Sequence, residues 1–190
     1  MGPLRGDPAA DVVTPNGADP DAMRTSALAV AARAAALGLA TGARSTTAAA
    51  ALVLSSMPTD RSPLHRLATT PARLAASAAV LGELTADKLP IAPPRTRPTG
   101  LIPRLLLAPA VAVAADHRDD AGPDAWTAVY ALVAGAAAAA AALGGVRMRA
   151  VLARRLGSDV PGALAEDALA CTLAWVGSRR APGPRATPGT

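Results

Sequence analysis

Two acids and the only lysine of the chain lie together at the end of an apolar segment. In the stretch GELTADKLP, residues 82–90, Glu83 and Asp87 are four residues apart, so a helix would place both carboxylates on one face. Carboxylates in this arrangement bind a cation or a proton, or they pair with basic side chains. Asp87 would lie in the last turn before Pro90, where the helix dipole disfavours an anion, so we expect it to need a partner.

Candidate partners of these acids flank the other apolar segments. The charged residues that we expect to meet in one layer are Glu83, Asp87, Lys88, Arg104, Arg147, Glu166 and Asp167. One interpretation is a pocket for a cation, a proton or a small charged solute, since charges inside a membrane often mark such paths. Glu83 and Asp87 would then face the solute, with the basic residues as counter-charges. The other interpretation is a set of ion pairs that only hold helices together.

The apolar part of the composition consists of small side chains. Of the 190 residues 51% are hydrophobic, yet Phe is absent and only one Tyr and two Trp occur. A soluble core of this size usually draws much of its burial from aromatic rings. Alanine and glycine instead let membrane helices approach closely, and Gly38-x-x-x-Gly42 fits such a contact. We therefore predict a single helical domain with Gly38 and Gly42 as packing residues.

Several apolar segments have the length of a membrane span. Residues 125–146 carry no charge and as a helix would extend ~33 Å, enough to cross a bilayer core. Weaker candidates are residues 26–57, 67–88, 101–115 and 161–177. We predict an all-α integral membrane bundle of four to five spans, with the first segment broken near Gly42. A soluble alanine-rich bundle is the alternative.

Both ends of the chain differ from this central part. Residues 1–24 and 178–190 are rich in proline, glycine and polar side chains, so we predict disordered tails around a membrane domain of residues 25–177. With five spans, the N-terminal tail shares one side with the loops around Lys88 and Arg147, ten basic residues in all. The other side receives about six or seven, which predicts a multi-pass protein of the cell membrane with a cytoplasmic N-terminus.

Other function classes lack the residues they need. The arginines are scattered between apolar segments, which argues against nucleic-acid binding. His65 and His117 are isolated from other ligands at zinc spacing, so we predict no metal and no other cofactor. Cys171 lies in an apolar run and indicates a packing residue rather than a nucleophile. We therefore expect no enzyme activity.

Several motifs resemble the bacterial membrane family called domain of unknown function 4126. They are Gly42-Ala43-Arg44-Ser45, the stretch at residues 82–90, Pro94-Arg95, Arg104, and the acidic pair in Glu166-Asp167-Ala168. The similarity covers about residues 27–177, and Glu-x-x-x-Asp-Lys-x-Pro is its most specific element. The family commonly has proline after the early arginine, whereas residues 46–56 have none. The resemblance implies a small integral membrane protein, and it supplies no activity. We predict that Arg44 and Pro90, like Gly38 and Gly42, are structural residues.

Two hypotheses for function follow from these features. The first is a small permeation or transport component for an ion, a proton or a solute, using the charged layer on the cytoplasmic side. The second is a non-catalytic structural membrane protein whose buried charges only form ion pairs. The lipid bilayer is the partner in both, and the second includes assembly as a homo-oligomer.

Overall fold

All the described secondary structure is helical, which confirms the all-α fold. The computed structural model describes residues 20–86, 97–119 and 125–180. The helices in these ranges are α1 (Pro20–Ala43), α2 (Thr47–Leu54), α3 (Leu64–Leu67), α4 (Thr70–Ala86), α5 (Pro98–Asp119), α6 (Ala125–Leu156) and α7 (Val160–Ser178). Asp87, Lys88 and Pro90 lie outside the described residues.

Helix α1 begins earlier than the composition predicts. It starts at Pro20, so the predicted N-terminal tail reaches residue 19 at most, rather than residue 24. Proline is tolerated in a first helical turn because its missing N–H would have no helical partner there. Ser178, the predicted start of the second tail, is the last residue of α7. Residues 1–19 and 181–190 lie outside the described part of the chain.

Helix α1 is the centre of the bundle and contacts α5, α6 and α7. Its approach to α6 depends on two glycines. A Cβ atom on Gly38 would lie 2.8 Å from Cα of Ala134, and one on Gly42 would lie 2.8 Å from Cα of Ala138. A side chain at either glycine would therefore collide with the backbone of α6. Because the paired residue numbers increase together, α1 and α6 run parallel.

The chain breaks after α1 and turns back. Helix α1 ends at Ala43 and α2 begins at Thr47, so the interruption expected near Gly42 is the turn Arg44-Ser45-Thr46. Helix α2 has only eight residues, about 12 Å of helix. It packs against α7 and α4, and it has fewer contacts with α1 and α5. The first predicted segment is therefore a long helix followed by a short returning one.

Helices α1 and α7 run antiparallel. Arg33 Nε of α1 donates to the Gly177 carbonyl oxygen near the end of α7 (3.5 Å), whereas Arg44, just after the end of α1, pairs with Asp167, which comes earlier in α7. The start of α1 and the end of α7 therefore lie at the same end of the bundle. The predicted topology placed them on opposite sides, which is wrong because the segment after α1 returns the chain.

Helix α6 is longer than the apolar span predicted within it. It has 32 residues, which corresponds to ~48 Å of helix. The predicted loop beginning at Arg147 is therefore wrong, since residues 147–156 continue the helix. Arginine is a good helix former, so these side chains do not end it. The helix instead ends before Gly157, which adopts a positive φ of 70°.

Small side chains make up most of the buried interior, and many large apolar side chains are exposed. Most buried apolar residues are alanines, although leucines such as Leu37 and Leu64 are also buried, and the buried polar residues include Arg104. By contrast, Leu132 is 74% exposed and Leu106 is 70% exposed. Leucine is among the most often buried residues of soluble domains, so exposures this high are unusual for one.

Two helical stretches of the described chain are long and apolar enough to cross a membrane: Pro98–Arg118 and Trp126–Leu156. The sequence predicted four to five such spans. Ala27–Ala43 is apolar but shorter than a span. Helix α4 has only 17 residues and also carries Arg73 and Glu83, so it is not among the apolar helices. Only 28% and 22% of the apolar windows in the two long stretches is buried within the bundle.

Candidate functional site

The turn between α1 and α2 is bound by a carboxylate from another helix. Glu83 of α4 accepts hydrogen bonds from the backbone N–H groups of Ser45 (2.7 Å) and Thr46 (2.9 Å). The hydroxyl groups of the same two residues also donate to it, each at 2.6 Å. Ser45 binds one carboxylate oxygen and Thr46 binds the other, so both oxygens of Glu83 are engaged.

This arrangement replaces a local helix cap. The first N–H groups of a helix have no partners within it, and an anion near them is favoured by the helix dipole. Thr46 occupies the capping position of α2 but makes no capping hydrogen bond with its own side chain. Its hydroxyl is directed to Glu83 instead. Glu83 therefore fastens the start of α2 to α4 and stabilises the turn that reverses the chain.

Arg104 of α5 lies on the same carboxylate. Its Nη2 atom is 3.5 Å from Oε1 of Glu83, and its Nη1 atom donates to the Gly100 carbonyl oxygen (2.6 Å). The side chains of Arg104 and Glu83 are 7% and 11% exposed. A buried charge is costly unless it is paired and hydrogen-bonded, and both conditions are met here. The pair joins α4 to α5 beside the turn.

Arg44, the first residue of the turn, connects it to α7. Its Nε atom donates to Oδ1 of Asp167 (2.6 Å), and its Nη2 atom pairs with the same oxygen. The Arg44 side chain is 6% exposed and that of Asp167 is 28% exposed. The three residues of the turn are thus bound by carboxylates from α4 and α7, one on each side.

Glu166 lies deeper than its neighbour Asp167. Its side chain is 4% exposed, and its Oε2 atom lies 3.7 Å from Nη1 of Arg149. Gly145 of α6 leaves the space that this carboxylate occupies, since a Cβ atom there would lie 3.2 Å from Oε1. Arg149 also pairs with Asp159 at the start of α7. This second group of charges joins the last part of α6 to α7.

An open apolar groove of about 220 Å³ runs between α6 and α7 beside this carboxylate. Small residues of α6, among them Ala141 and Gly144, form one wall, and Leu169 and Leu173 of α7 form the other. Glu166 is the one charged residue in its lining.

Of the seven charged residues predicted to form one layer, the structure brings Glu83 and Arg104 into direct contact. Glu166 and Asp167 lie next to each other in α7 and form separate pairs, with Arg149 and Arg44. Arg147 is exposed on α6, and Arg149, two residues farther on, takes the predicted position beside the acids. Asp87 and Lys88 lie outside the described residues.

Sequence reasoning missed the polar turn as the main partner of Glu83. Ser45 and Thr46 are 37 to 38 residues from Glu83 in the chain. The available signal was the run of hydroxyl residues, Ser45-Thr46-Thr47, directly after the break in an alanine-rich segment. Among the described residues, no group of three or more histidine, cysteine or acidic side chains is placed to hold a metal ion.

Comparison of this chain with protein-family models, with curated protein sequences and with solved structures found no match. The resemblance to the membrane family named above therefore stays a prediction.

Proposed function

We propose that this chain is an integral membrane protein in which α1, α4, α5, α6 and α7 cross the bilayer and α2 is a half-helix that returns from the turn. The observation that supports this most is the outward-facing apolar surface. Leu132 and Leu106, on the two long apolar helices, are among its most exposed side chains. Lipid would cover this surface, as membrane helices require.

A soluble bundle explains this surface poorly. The core helix of a soluble protein would have most of its apolar window buried, but here the buried share is 28% and 22%. Exposed apolar area costs about 25 cal/mol per Å² in water, and contiguous patches of this kind usually mark a membrane or a partner. Small-residue packing of α1 against α6 is also typical of membrane interfaces.

Within this framework we assign a structural role to the Glu83 cluster, which consists of Glu83, Arg104 and the turn residues Ser45 and Thr46. Both oxygens of Glu83 are held by the turn, and Arg104 lies against one of them. A carboxylate that receives a solute or a proton needs an open face. The cluster therefore braces the returning half-helix α2 against α4 and α5, and the protein is non-catalytic.

Ion flux in proteoliposomes and thermal unfolding in detergent together test this structural role. Wild-type protein in proteoliposomes should pass no more protons or small cations than empty vesicles pass. Glu83→Gln should unfold at lower temperature in detergent, because a neutral amide cannot accept from both backbone N–H groups and balance Arg104. Flux in the wild type that Glu83→Gln abolishes, with unchanged melting temperature, would overturn the assignment.

A second candidate, permeation, is favoured by Glu166 alone. This acid lines the apolar groove, whereas both oxygens of Glu83 are held by the turn between α1 and α2. A permeation role therefore predicts flux that Glu166→Gln removes and that Asp159→Asn, at the exposed end of the same arginine network, leaves intact. Flux that survives Glu166→Gln would remove this candidate.

A further inference from the structure

Four arginines line a pocket at the end of the bundle opposite Glu83. The pocket has a volume of about 380 Å³ and lies where α5 and α7 end and α4 begins. Its arginines are Arg73, Arg118, Arg179 and Arg180. Arg180 pairs with the buried carboxylate of Asp60 (2.6 Å), so one of the four charges is balanced there.

Backbone and hydroxyl oxygens hold two of the other arginines in place. Arg118 Nη2 donates to the Ser178 carbonyl oxygen (2.7 Å) and its Nη1 to the Ser55 hydroxyl (3.2 Å). Arg73 Nη2 donates to the Ser56 carbonyl oxygen (2.9 Å). Carbonyls at helix ends attract cations through the helix dipole, but they carry no net charge. The groups that hold Arg73 and Arg179, the Ser56 carbonyl oxygen and the Trp175 ring, are uncharged, so these two arginines give the pocket positioned positive charge.

An apolar groove continues from this pocket along α7 and α2. It has a volume of about 440 Å³ and shares Leu54 and Arg179 with the arginine pocket. Ala51, Cys171 and Trp175 extend it away from the charges. The guanidinium of Arg179 lies 4.8 Å from the centre of the Trp175 ring, at the boundary between the two cavities. The combined site thus has one cationic end and one apolar end.

We propose that this site binds an anionic phospholipid, with the headgroup phosphate among the arginines and an acyl chain in the groove. The inference rests on the proposed membrane location. Guanidinium groups form strong, bidentate hydrogen bonds with phosphate oxygens. Basic pockets between membrane helices bind acidic lipid headgroups for this reason. The Trp175 groove adds the apolar contact that a free phosphate ion would not use.

Native mass spectrometry of the full-length protein in uncharged detergent tests the proposal. Phosphatidylglycerol should stay bound while phosphatidylcholine is lost. The double variant Arg73→Gln/Arg179→Gln should retain about tenfold less phosphatidylglycerol, since it removes two phosphate contacts. The double variant Arg154→Gln/Arg155→Gln removes the same charge from the far end of α6 and should retain the wild-type amount. Arg179→Gln alone should retain several-fold less phosphatidylglycerol than the wild type. It replaces the double variant in this test if the double variant does not fold.

Three outcomes would overturn the lipid site. They are equal retention of the two lipids, full retention by Arg73→Gln/Arg179→Gln, and displacement of the lipid by millimolar inorganic phosphate, which would make the pocket a site for the free anion. Alkaline carbonate extraction separates this failure from failure of the membrane proposal. Protein that stays in the membrane but does not prefer phosphatidylglycerol contradicts the lipid site alone. Protein released by carbonate that still binds phosphatidylglycerol contradicts the membrane proposal alone.

Discussion

Glu83 of α4 joins three parts of the chain. Its carboxylate binds the turn between α1 and α2, and it pairs with Arg104 of α5. Each hydrogen bond exchanged for water adds little stability, but loss of a partner in a buried network leaves the remaining groups unsatisfied. The consequence of changing Glu83 should therefore exceed that of changing an exposed acid.

At this scale we predict that Glu83→Gln lowers the free energy of unfolding by about 3 kcal/mol, because it breaks a buried charge pair and two carboxylate contacts. Thermal unfolding of the purified protein in detergent measures it. Asp159→Asn is the matched control, since the Asp159 side chain is 51% exposed and exposed pairs contribute up to about 1 kcal/mol. Equal shifts in the two variants would contradict the brace.

A second prediction compares the contributions of Arg149 and Arg147 to stability. Arg149 faces Asp159 and the buried Glu166, whereas Arg147 is exposed. Arg149→Gln should cost about 1–2 kcal/mol, and Arg147→Gln should stay within about 0.5 kcal/mol of the wild type. Melting temperatures of the two variants compare them directly. A larger loss at Arg147 would show that the acids of α7 pair with a different turn of α6.

The acidic positions could be found from the sequence, and their partners only in part. Glu83 and Asp167 stand out because charges are rare within apolar segments. Arg147 is the first charge after the longest apolar run, so predicting it as a partner of the acids assumes that the helix ends there. The helix continues to Leu156. A step of two residues rotates the side-chain direction by about 200°, so Arg149 faces the acids instead. Local sequence holds no information on which helix supplies the partner of Glu83.

At the scale of elements, the pairing of α1 with α6 requires small residues. The positions of Gly38 and Gly42 admit no Cβ without contact at 2.8 Å with the α6 backbone. The two helices must separate, or their backbones must shift, to accept even alanine. The spacing Gly38-x-x-x-Gly42 predicted a close helix contact, while the identity of the partner helix depends on the tertiary fold.

We predict that Gly38→Ala destabilises the protein by about 1–3 kcal/mol through overpacking at this contact. Gly82→Ala on α4 is the matched control, because a Cβ there meets nothing within 4 Å. The control should be neutral or stabilising by up to about 1 kcal/mol, since alanine favours helix. Unfolding in detergent measures both, and a neutral Gly38→Ala would contradict the close approach of α1 to α6.

The direction of the chain after α1 could not be predicted from the number of apolar segments. The hydropathy pattern indicates a break near Gly42, but a kinked helix and a reversal of the chain interrupt the pattern in the same way. The reversal depends on Glu83 and Asp167, which bind the turn from helices far away in the chain. One added return places the start of α1 at the same end of the bundle as the end of α7.

At the scale of the whole molecule, the small and charged interior and the large apolar exterior agree with a bilayer as the solvent. Alanine content and the scarcity of aromatic residues predicted close packing of small side chains, and most buried apolar residues are alanines. The extent of the exposed apolar surface could not be predicted from the sequence, because the same apolar segments could also form a buried core. The helices pack through their alanine and glycine faces, so many leucines remain exposed.

The most direct test of the membrane proposal places a spin label on that exterior. In a Cys171→Ser background, single cysteines replace exposed Leu132 or Leu143 of α6, or exposed Thr59 between α2 and α3 as a control at the end of the bundle. The labelled protein is reconstituted in vesicles, and its relaxation is measured with oxygen and with a water-soluble nickel complex. We predict strong oxygen contact and weak nickel contact at Leu132 and Leu143, and strong nickel contact at Thr59. Strong nickel contact at Leu132 and Leu143 would place that face in water and contradict the membrane proposal.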